Sequence, residues 1–344
     1  MTIGVTLLNF GEPSEATLEA VVPFLERIFL TNASLEGQAA PEAVRARCHE
    51  LAQRRAPGLI ADYQAIGGSP LNAQSEAQAQ ALAAELERRG HAVRVYVANQ
   101  FADPLIPAAL RRARGDGVEQ LVALPVYPVC GPSTNVAALA QLGAALAELD
   151  WGVPVVEVSG WHRDPGYIAL RAEGIRDTAT AAGVDLNAPG QRLVFSAHGT
   201  PVKYLEEGSR YDRYTEEDCA DIARAAGVAE YALGFQNHGN RPIEWTQPAI
   251  ARVIADVVAD TVVVVPVSFM HEQSETLSEL DIELRRQAEA RGLRFLRVPV
   301  PHADPRFAAI LADLVESALA GGRGPMPLRP CRCRRVPGAY CTNG

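Results

Sequence analysis

The chain has no apolar run long enough to cross a bilayer. Its longest, such as Thr261 to Val267, fall far short of the ~20 residues a spanning helix needs. Positive charge is also scarce. Lys and Arg number 32 against 41 Asp and Glu, the net charge is -9, and the only basic stripe is a short one at the C-terminus. Nucleic acid is therefore not an expected partner, because phosphate binding needs clustered cations. The N-terminal MTIGVTLLNF lacks the basic n-region and cleavage site of a signal peptide and reads as a first strand. The expectation is a soluble cytoplasmic protein with no transmembrane segment. Cysteine is sparse, with six residues unevenly placed. Cys48, Cys130 and Cys219 are scattered, whereas Cys331, Cys333 and Cys341 crowd the end. A reducing compartment argues against a disulfide there, and the clustering argues for metal or redox chemistry.

The chain does have ample core material. Its 344 residues are 48% hydrophobic, which suits more than one domain. Short β-branched runs at 4–8, 93–97, 120–126, 155–158, 193–197, 230–235, 261–267 and 294–298 read as strands. They alternate with Ala/Leu/Arg/Glu-rich helical stretches, the plainest being SEAQAQALAAELERR at 75–89. Continuous apolar strands alternating with helices imply a parallel sheet covered on both faces. The chain also resembles itself. LLNFGEP (7–13) matches VFSAHGTP (194–201), VYVANQ (95–100) matches YALGFQN (231–237), and LVALPVYPVCGPST (121–134) matches VVVVPVSFMHEQSET (262–276), in the same order. Two similar α/β halves are predicted, joined near Asp150-Trp151-Gly152. Ligands of such sheets bind beyond the carboxyl ends of strands.

His198 stands at one of those ends. It reads either as a polar cap of the following turn or as a general base or metal ligand near neutral pH. In the second half Glu275, Glu279 and Glu283 recur at i, i+4 and i+8, which stacks three carboxylates along one helical face. A solvated acidic face is one reading. The other is a ladder guiding cations or protons inward, favoured by its start in a loop where ligands should bind.

SAHGTP followed by ETLSELDIEL resembles the ferrochelatase family. So do LLNFGEP, YQAIGGSPLN (63–72), LPVYPVCGPST, the FQN…EWTQP segment (235–248) and PHADPRF (301–307), in order and approximate spacing from Ile3 to Leu319. The resemblance implies an α/β fold of two similar Rossmann-like domains, each a parallel sheet flanked by helices. The domains are expected at 1–150, with a helix at about 303–320 packing back on it, and at 151–302, followed by a Cys-containing tail at 321–344. It implies insertion of Fe²⁺, as substrate metal, into protoporphyrin IX held in a cleft between the halves, with release of two protons. His198 falls on the family's active-site histidine and Glu275 on its partner carboxylate. Glu279 and Glu283 continue the acidic row, so these four are the expected metal-binding residues. Phe10, Tyr127, Ser133, Thr134 and Trp245 are the expected porphyrin contacts. The chain departs from the family at Gln100-Phe101, where many relatives have Arg-Tyr. IGGSP is one Gly shorter than the commoner form.

Some ferrochelatases carry a [2Fe–2S] cluster on three C-terminal cysteines and one from a mid-chain loop. The resemblance therefore implies that Cys130, Cys331, Cys333 and Cys341 hold such a cluster. Arg332, Arg334 and Arg335 would offset the thiolate charge. Zinc and an unstructured tail are the alternatives. Cys48 and Cys219 read as structural. His49, His91 and His162 read as surface or loop residues, His302 as a cap of the last helix, and His238 and His271 as lower-ranked site candidates. The 24–35 segment reads as an amphipathic cover, with peripheral membrane contact as the alternative. Monomer and homodimer both remain open. Other functions weighed are a coproporphyrin III ferrochelatase, a cobalt or nickel chelatase, and a non-catalytic tetrapyrrole-binding protein.

Overall fold

The computed structural model describes residues 2–36, 40–237 and 243–343. Along the chain come β1 (Ile3–Asn9), α1 (Leu18–Thr31), α2 (Pro41–Ala65), α3 (Leu71–Arg88), β2 (Val93–Asn99), α4 (Ile106–Gly115), β3 (Gln120–Pro125), α5 (Ala137–Glu148) and β4 (Val155–Gly160). There follow α6 (Pro165–Ala182), β5 (Gln191–His198), α7 (Val202–Glu206), α8 (Tyr211–Ala226), β6 (Tyr231–Gln236), α9 (Ile250–Asp256), β7 (Thr261–Pro266), α10 (Arg285–Ala290) and β8 (Arg294–Arg297). The chain closes with α11 (Pro305–Leu319), β9 (Arg329–Pro330) and β10 (Ala339–Cys341). All eight strands expected from β-branched runs form. Among the described residues no helix is long and apolar enough to cross a membrane.

The residues divide into two compact units, one of 1–161 with 303–344 and one of 162–302. The first holds a sheet of order β2-β1-β3-β4-β10-β9. The expected second-domain strand at 155–158 is β4. It belongs to the first unit instead, where Leu121, Val122 and Ala123 of β3 pair parallel with Val155, Val156 and Glu157. The tail at 321–344 joins the same sheet. β10 pairs parallel with β4, and β9 pairs antiparallel with β10, so the tail completes the sheet edge. Leu8, Leu110, Leu121 and Leu139 share a core beneath α4 and α5. Phe24, Leu25 and Phe29 of α1 pack with Leu51 and Tyr63 of α2, so the 24–35 segment begins as the buried face of a helix pair. α11 fastens to the end of α3 through Arg89, which donates to Asp313 (2.5 Å) and Glu316 (2.8 Å). Its N-cap is Asp304, not His302: the Asp304 carboxylate accepts from the Arg306 N–H.

The second unit holds a fully parallel sheet of order β6-β5-β7-β8. β7 is buried along its whole length, as a strand covered by helices on both faces must be. Its order repeats the β2-β1-β3-β4 order of the first unit, with β1, β2 and β3 answering to β5, β6 and β7. The registers agree in detail, since Leu8 lies opposite Pro125 in one sheet and Ser196 opposite Pro266 in the other. Phe10 and His198 therefore occupy equivalent places, each two residues past that pair. In the second sheet β5 connects outward to β6 on one side and β7 on the other. His198 ends the strand at this switch point, where open parallel sheets bind ligands.

Candidate active site

His198 reaches the end of β5 because a continuous buried run, Leu193 to Ala197, carries it there. The chain then turns at Gly199, whose N–H donates to the Gln236 carbonyl at 2.7 Å. A side chain at 199 would collide with Asn237 and with that carbonyl oxygen, 2.9 Å from an added Cβ. Glycine is thus required by close backbone approach. The His198 imidazole lies between two acceptors. Nδ1 is 2.6 Å from the Gly199 carbonyl, which can only accept, so Nδ1 carries a proton. Nε2 is 3.0 Å from Glu275 Oε1. Burial pushes the imidazole pKa down, but the charge and hydrogen bond of Glu275, aided by the Gly199 carbonyl and Glu279, bring it up to about 9. At neutral pH the pair is an imidazolium held against a carboxylate, one third of the His198 side chain being exposed. The Phe269 ring stands edge-on 6.4 Å away.

The acidic row is present, but its helix is not α. Glu275–Leu284 is a π-helix that passes into α10. The i→i+5 bonding of a π-helix widens each turn beyond four residues, so positions four apart still lie nearly one above another. Glu275 and Glu279 are half-buried and Glu283 is exposed, so the row runs from the imidazole to the surface. Such π segments occur disproportionately at functional sites.

Gln236, at the end of β6, is a residue the sequence reading missed. Its side chain is buried at 3% exposure. The Ser196 hydroxyl donates to Gln236 Oε1 (2.9 Å), which fixes the amide orientation. The two Nε2 protons then go to the Glu275 carbonyl and to Glu279 Oε2, both at 2.9 Å. Gln273 likewise donates to Glu275 Oε2. The signal was the FQN stretch, read as part of a repeat and of the family resemblance but with no role given to its glutamine. Trp245 is half-buried beside the His198 loop, forming a bridge with Pro201. His271 is buried, and burial together with His302 pushes it down to about 3. His238 lies outside the described residues. His162 is fully buried rather than a surface residue. It packs on Tyr214 at 5.2 Å and burial takes it down to about 4.

In the first unit the expected contacts gather at the ends of β1 and β3. Phe10 is half-buried, with Phe101 at 4.6 Å and Phe24 at 6.1 Å in edge-on geometry. Tyr127 is buried and donates to Asn9 Oδ1 (2.7 Å), while its oxygen accepts from the Phe10 N–H (3.0 Å). These bonds tie the Tyr127 hydroxyl to the end of β1. Ser133 donates to Asn32 Oδ1 at 3.3 Å and Thr134 to Asn135 Oδ1 at 3.0 Å. Gln100, at the departure from the family pattern, is buried and donates to the Ser133 carbonyl at 3.4 Å.

Cys331 and Cys341 pack together at the edge of this sheet, where Cys130 lies beside Gly160. Cys341 lies opposite Gly160, and Cys130 Cβ approaches Gly160 so closely that a side chain there would meet it at 2.9 Å. Cys331 is buried and Cys333 exposed. A hydrogen bond with Cys341 pulls the Cys331 thiol down to about 5 against burial, helped by Ser159, whose hydroxyl donates at 3.1 Å, and by backbone N–H groups at Cys333 and Arg334. Cys341 is pushed up by the same shared proton. Cys130 is pushed up to about 12 by burial and by the charges of Cys331 and Cys333. Arg334 pairs with Glu157 at 2.7 Å. The donor set and the N–H and O–H groups aimed at sulfur suit thiolate ligation. Among the described residues no group of three or more His, Cys, Asp or Glu is set to hold a metal ion.

Comparison with known proteins places this geometry. The ferrochelatase family model matches residues 2–319, leaving the cysteine tail outside. A ferrochelatase of Synechococcus sp. (strain JA-3-3Ab) is 37% identical, over 92% of this chain and 93% of its own. One from Nostoc sp. (strain PCC 7120) is 35% identical, over 92% and 82%. Among solved structures, the sirohydrochlorin chelatase SirB from Bacillus subtilis subspecies spizizenii in complex with cobalt aligns with a TM-score of 0.52 at 11% identity. That alignment covers 94% of this chain and 99% of SirB, and shares the fold. The chain belongs to the ferrochelatase family, the porphyrin metal chelatases of haem synthesis.

Proposed function

We propose that His198 and Glu275 are the pair through which this ferrochelatase inserts Fe²⁺ into protoporphyrin IX. The observation that carries the reading is the 3.0 Å contact between His198 Nε2 and Glu275 Oε1 at the sheet's switch point. Metallation requires a cation to shed water and two pyrrole N–H protons to leave. The resting pair holds a proton, and a base must first lose it. Fe²⁺ arriving on the Glu275 carboxylate neutralises the charge that keeps His198 protonated, and the proton departs along Glu279 and Glu283. The neutral imidazole then accepts the pyrrole protons in turn and passes each to the carboxylates, as a group of suitable pKa can. The Glu275 carboxylate alone holds a cation loosely enough to yield it to four pyrrole nitrogens, which leaves His198 Nε2 free to take the protons. Gln236 and Gln273 keep the carboxylates oriented through this exchange.

As porphyrin contacts, Phe10 offers an apolar ring, Ser133 and Thr134 offer hydroxyls, and Trp245 offers an apolar face. Cys130, Cys331, Cys333 and Cys341 would hold a [2Fe–2S] cluster, whose contribution is a crosslink between the tail and the loop after β3. The test is anaerobic turnover with Fe²⁺ and protoporphyrin IX or coproporphyrin III, after recording the protein's own visible spectrum. Faster consumption of protoporphyrin IX and a brown resting spectrum are expected. Preference for coproporphyrin III would reassign the substrate, no turnover with either would favour a tetrapyrrole carrier, and a colourless protein would remove the cluster.

A further inference from the structure

We propose that Tyr211 and Ser268 are positioning residues that clamp His198 by both its backbone groups and so fix the imidazole over Glu275. The inference rests on the reading of His198 as the metallation base. The His198 N–H donates to Ser268 Oγ at 3.1 Å. The Tyr211 hydroxyl donates to the His198 carbonyl at 2.9 Å. Tyr211 Oη and Ser268 Oγ are 3.0 Å apart. Tyrosine has one hydroxyl proton and it goes to the carbonyl, so the serine proton must go to Tyr211. The bonds close a ring: His198 N–H to Ser268, Ser268 to Tyr211, Tyr211 back to the His198 C=O. Each hydroxyl accepts and donates once, the arrangement in which hydrogen bonds polarise one another.

The clamp sits where β7 no longer pairs with β5, while β6 still lies opposite His198 through Gln236. The β5–β7 register ends with Ser196 opposite Pro266, and the last bond is from the Val267 N–H to the Ser196 carbonyl (2.9 Å). His198 lies two residues further on. Two side chains, one from the loop after β7 and one from the first residue of α8, continue the hold. Tyr211 is itself anchored, 6% exposed, with its carbonyl accepting from the Thr215 hydroxyl at 2.8 Å. Burial takes its phenol up to about 12, so it stays a neutral donor across the working range. With the backbone fixed on both sides, the imidazole keeps its 3.0 Å reach to Glu275.

The test compares Tyr211→Phe, Ser268→Ala, the double variant and Ser268→Thr in the full-length protein. Turnover constants, Tm and hydrogen exchange at the His198 amide are measured for each. Misplacement of a reacting group by ~1 Å costs up to about a hundredfold, so each single variant is expected to lose roughly tenfold or more in kcat, with KM for Fe²⁺ and porphyrin within about twofold. The double variant should fall no more than about twofold below the worse single, because a ring opened once is already open. Ser268→Thr should restore kcat, and both single variants should speed His198 amide exchange. Singles within about twofold of wild type in kcat, losses that multiply in the double, or losses that merely track Tm would overturn the proposal. If the wild type fails to metallate porphyrin, the functional reading fails. The clamp is then judged by exchange alone, and unchanged His198 exchange in the single variants overturns it.

Discussion

At the residue scale, the proposed chemistry rests on one protonated pair, His198 and Glu275. The sequence placed His198 and Glu275 near each other only through their motifs, whereas the contact between them depends on two separate strands ending side by side. The pairing has a thermodynamic signature. The His198 pKa in the folded chain, about 9, lies above the ~6.5 of an unfolded histidine. Its contribution is therefore fully present below about pH 6.5 and lost as pH rises through 9. Glu275→Gln removes the main cause of the shift. The Tm gap between wild type and this variant should be widest near pH 6 and close by about pH 10, read by thermal unfolding across that range. A gap independent of pH would mean that the pair carries no linked proton. Gln236 was illegible in the sequence because glutamine has no motif signature of its own. Its role comes from Ser196 on β5 and Glu279 on the π-helix, partners 40 and 43 residues away. His162 was misread for a related reason: the WHRDP stretch has the composition of a loop, but tertiary packing on Tyr214 buries its histidine.

At the element scale, strands were legible because buried parallel strands must be written in continuous β-branched residues, as in TVVVVP of β7. The π-helix was not, because carboxylates four apart fit an α turn and a π turn equally. β9 and β10 were not legible either, since two or three residues carry too little pattern and are held by β4 rather than by propensity. The turn after β5 supplies an element-scale prediction. Gly199→Ala drives a methyl against Asn237 and the Gln236 carbonyl, which the backbone cannot clear without moving His198. Overpacking of this kind costs about 1–3 kcal/mol. Denaturant unfolding should show a loss of that size together with reduced metallation. Unchanged stability with full activity would show that the loop relaxes freely.

At the scale of the whole molecule, the repeated sequence motifs proved to mark a repeated sheet, with β1, β2 and β3 answering to β5, β6 and β7. The two copies differ at their tips, Phe10 in one and His198 in the other, so one carries an apolar ring and the other an imidazole. The first copy also gained an edge that the repeat could not foretell, β10 and β9, which cover β4. Exposed strand edges invite intermolecular pairing. Deleting 321–344 should lower Tm and promote association in light scattering, and the loss should exceed that of Cys333→Ser, whose side chain is exposed. A truncated chain that keeps the full-length chain's oligomeric state and Tm would show that the tail adds nothing to the sheet.

The most direct test of the account is single-turnover metallation of protoporphyrin IX by wild type, His198→Ala and Glu275→Gln, with porphyrin binding measured separately by fluorescence. The account predicts that both variants bind porphyrin within about threefold of wild type while His198→Ala slows metallation by roughly 10²–10⁴-fold, the usual worth of a positioned base. Metallation by His198→Ala at a rate near that of wild type would contradict it.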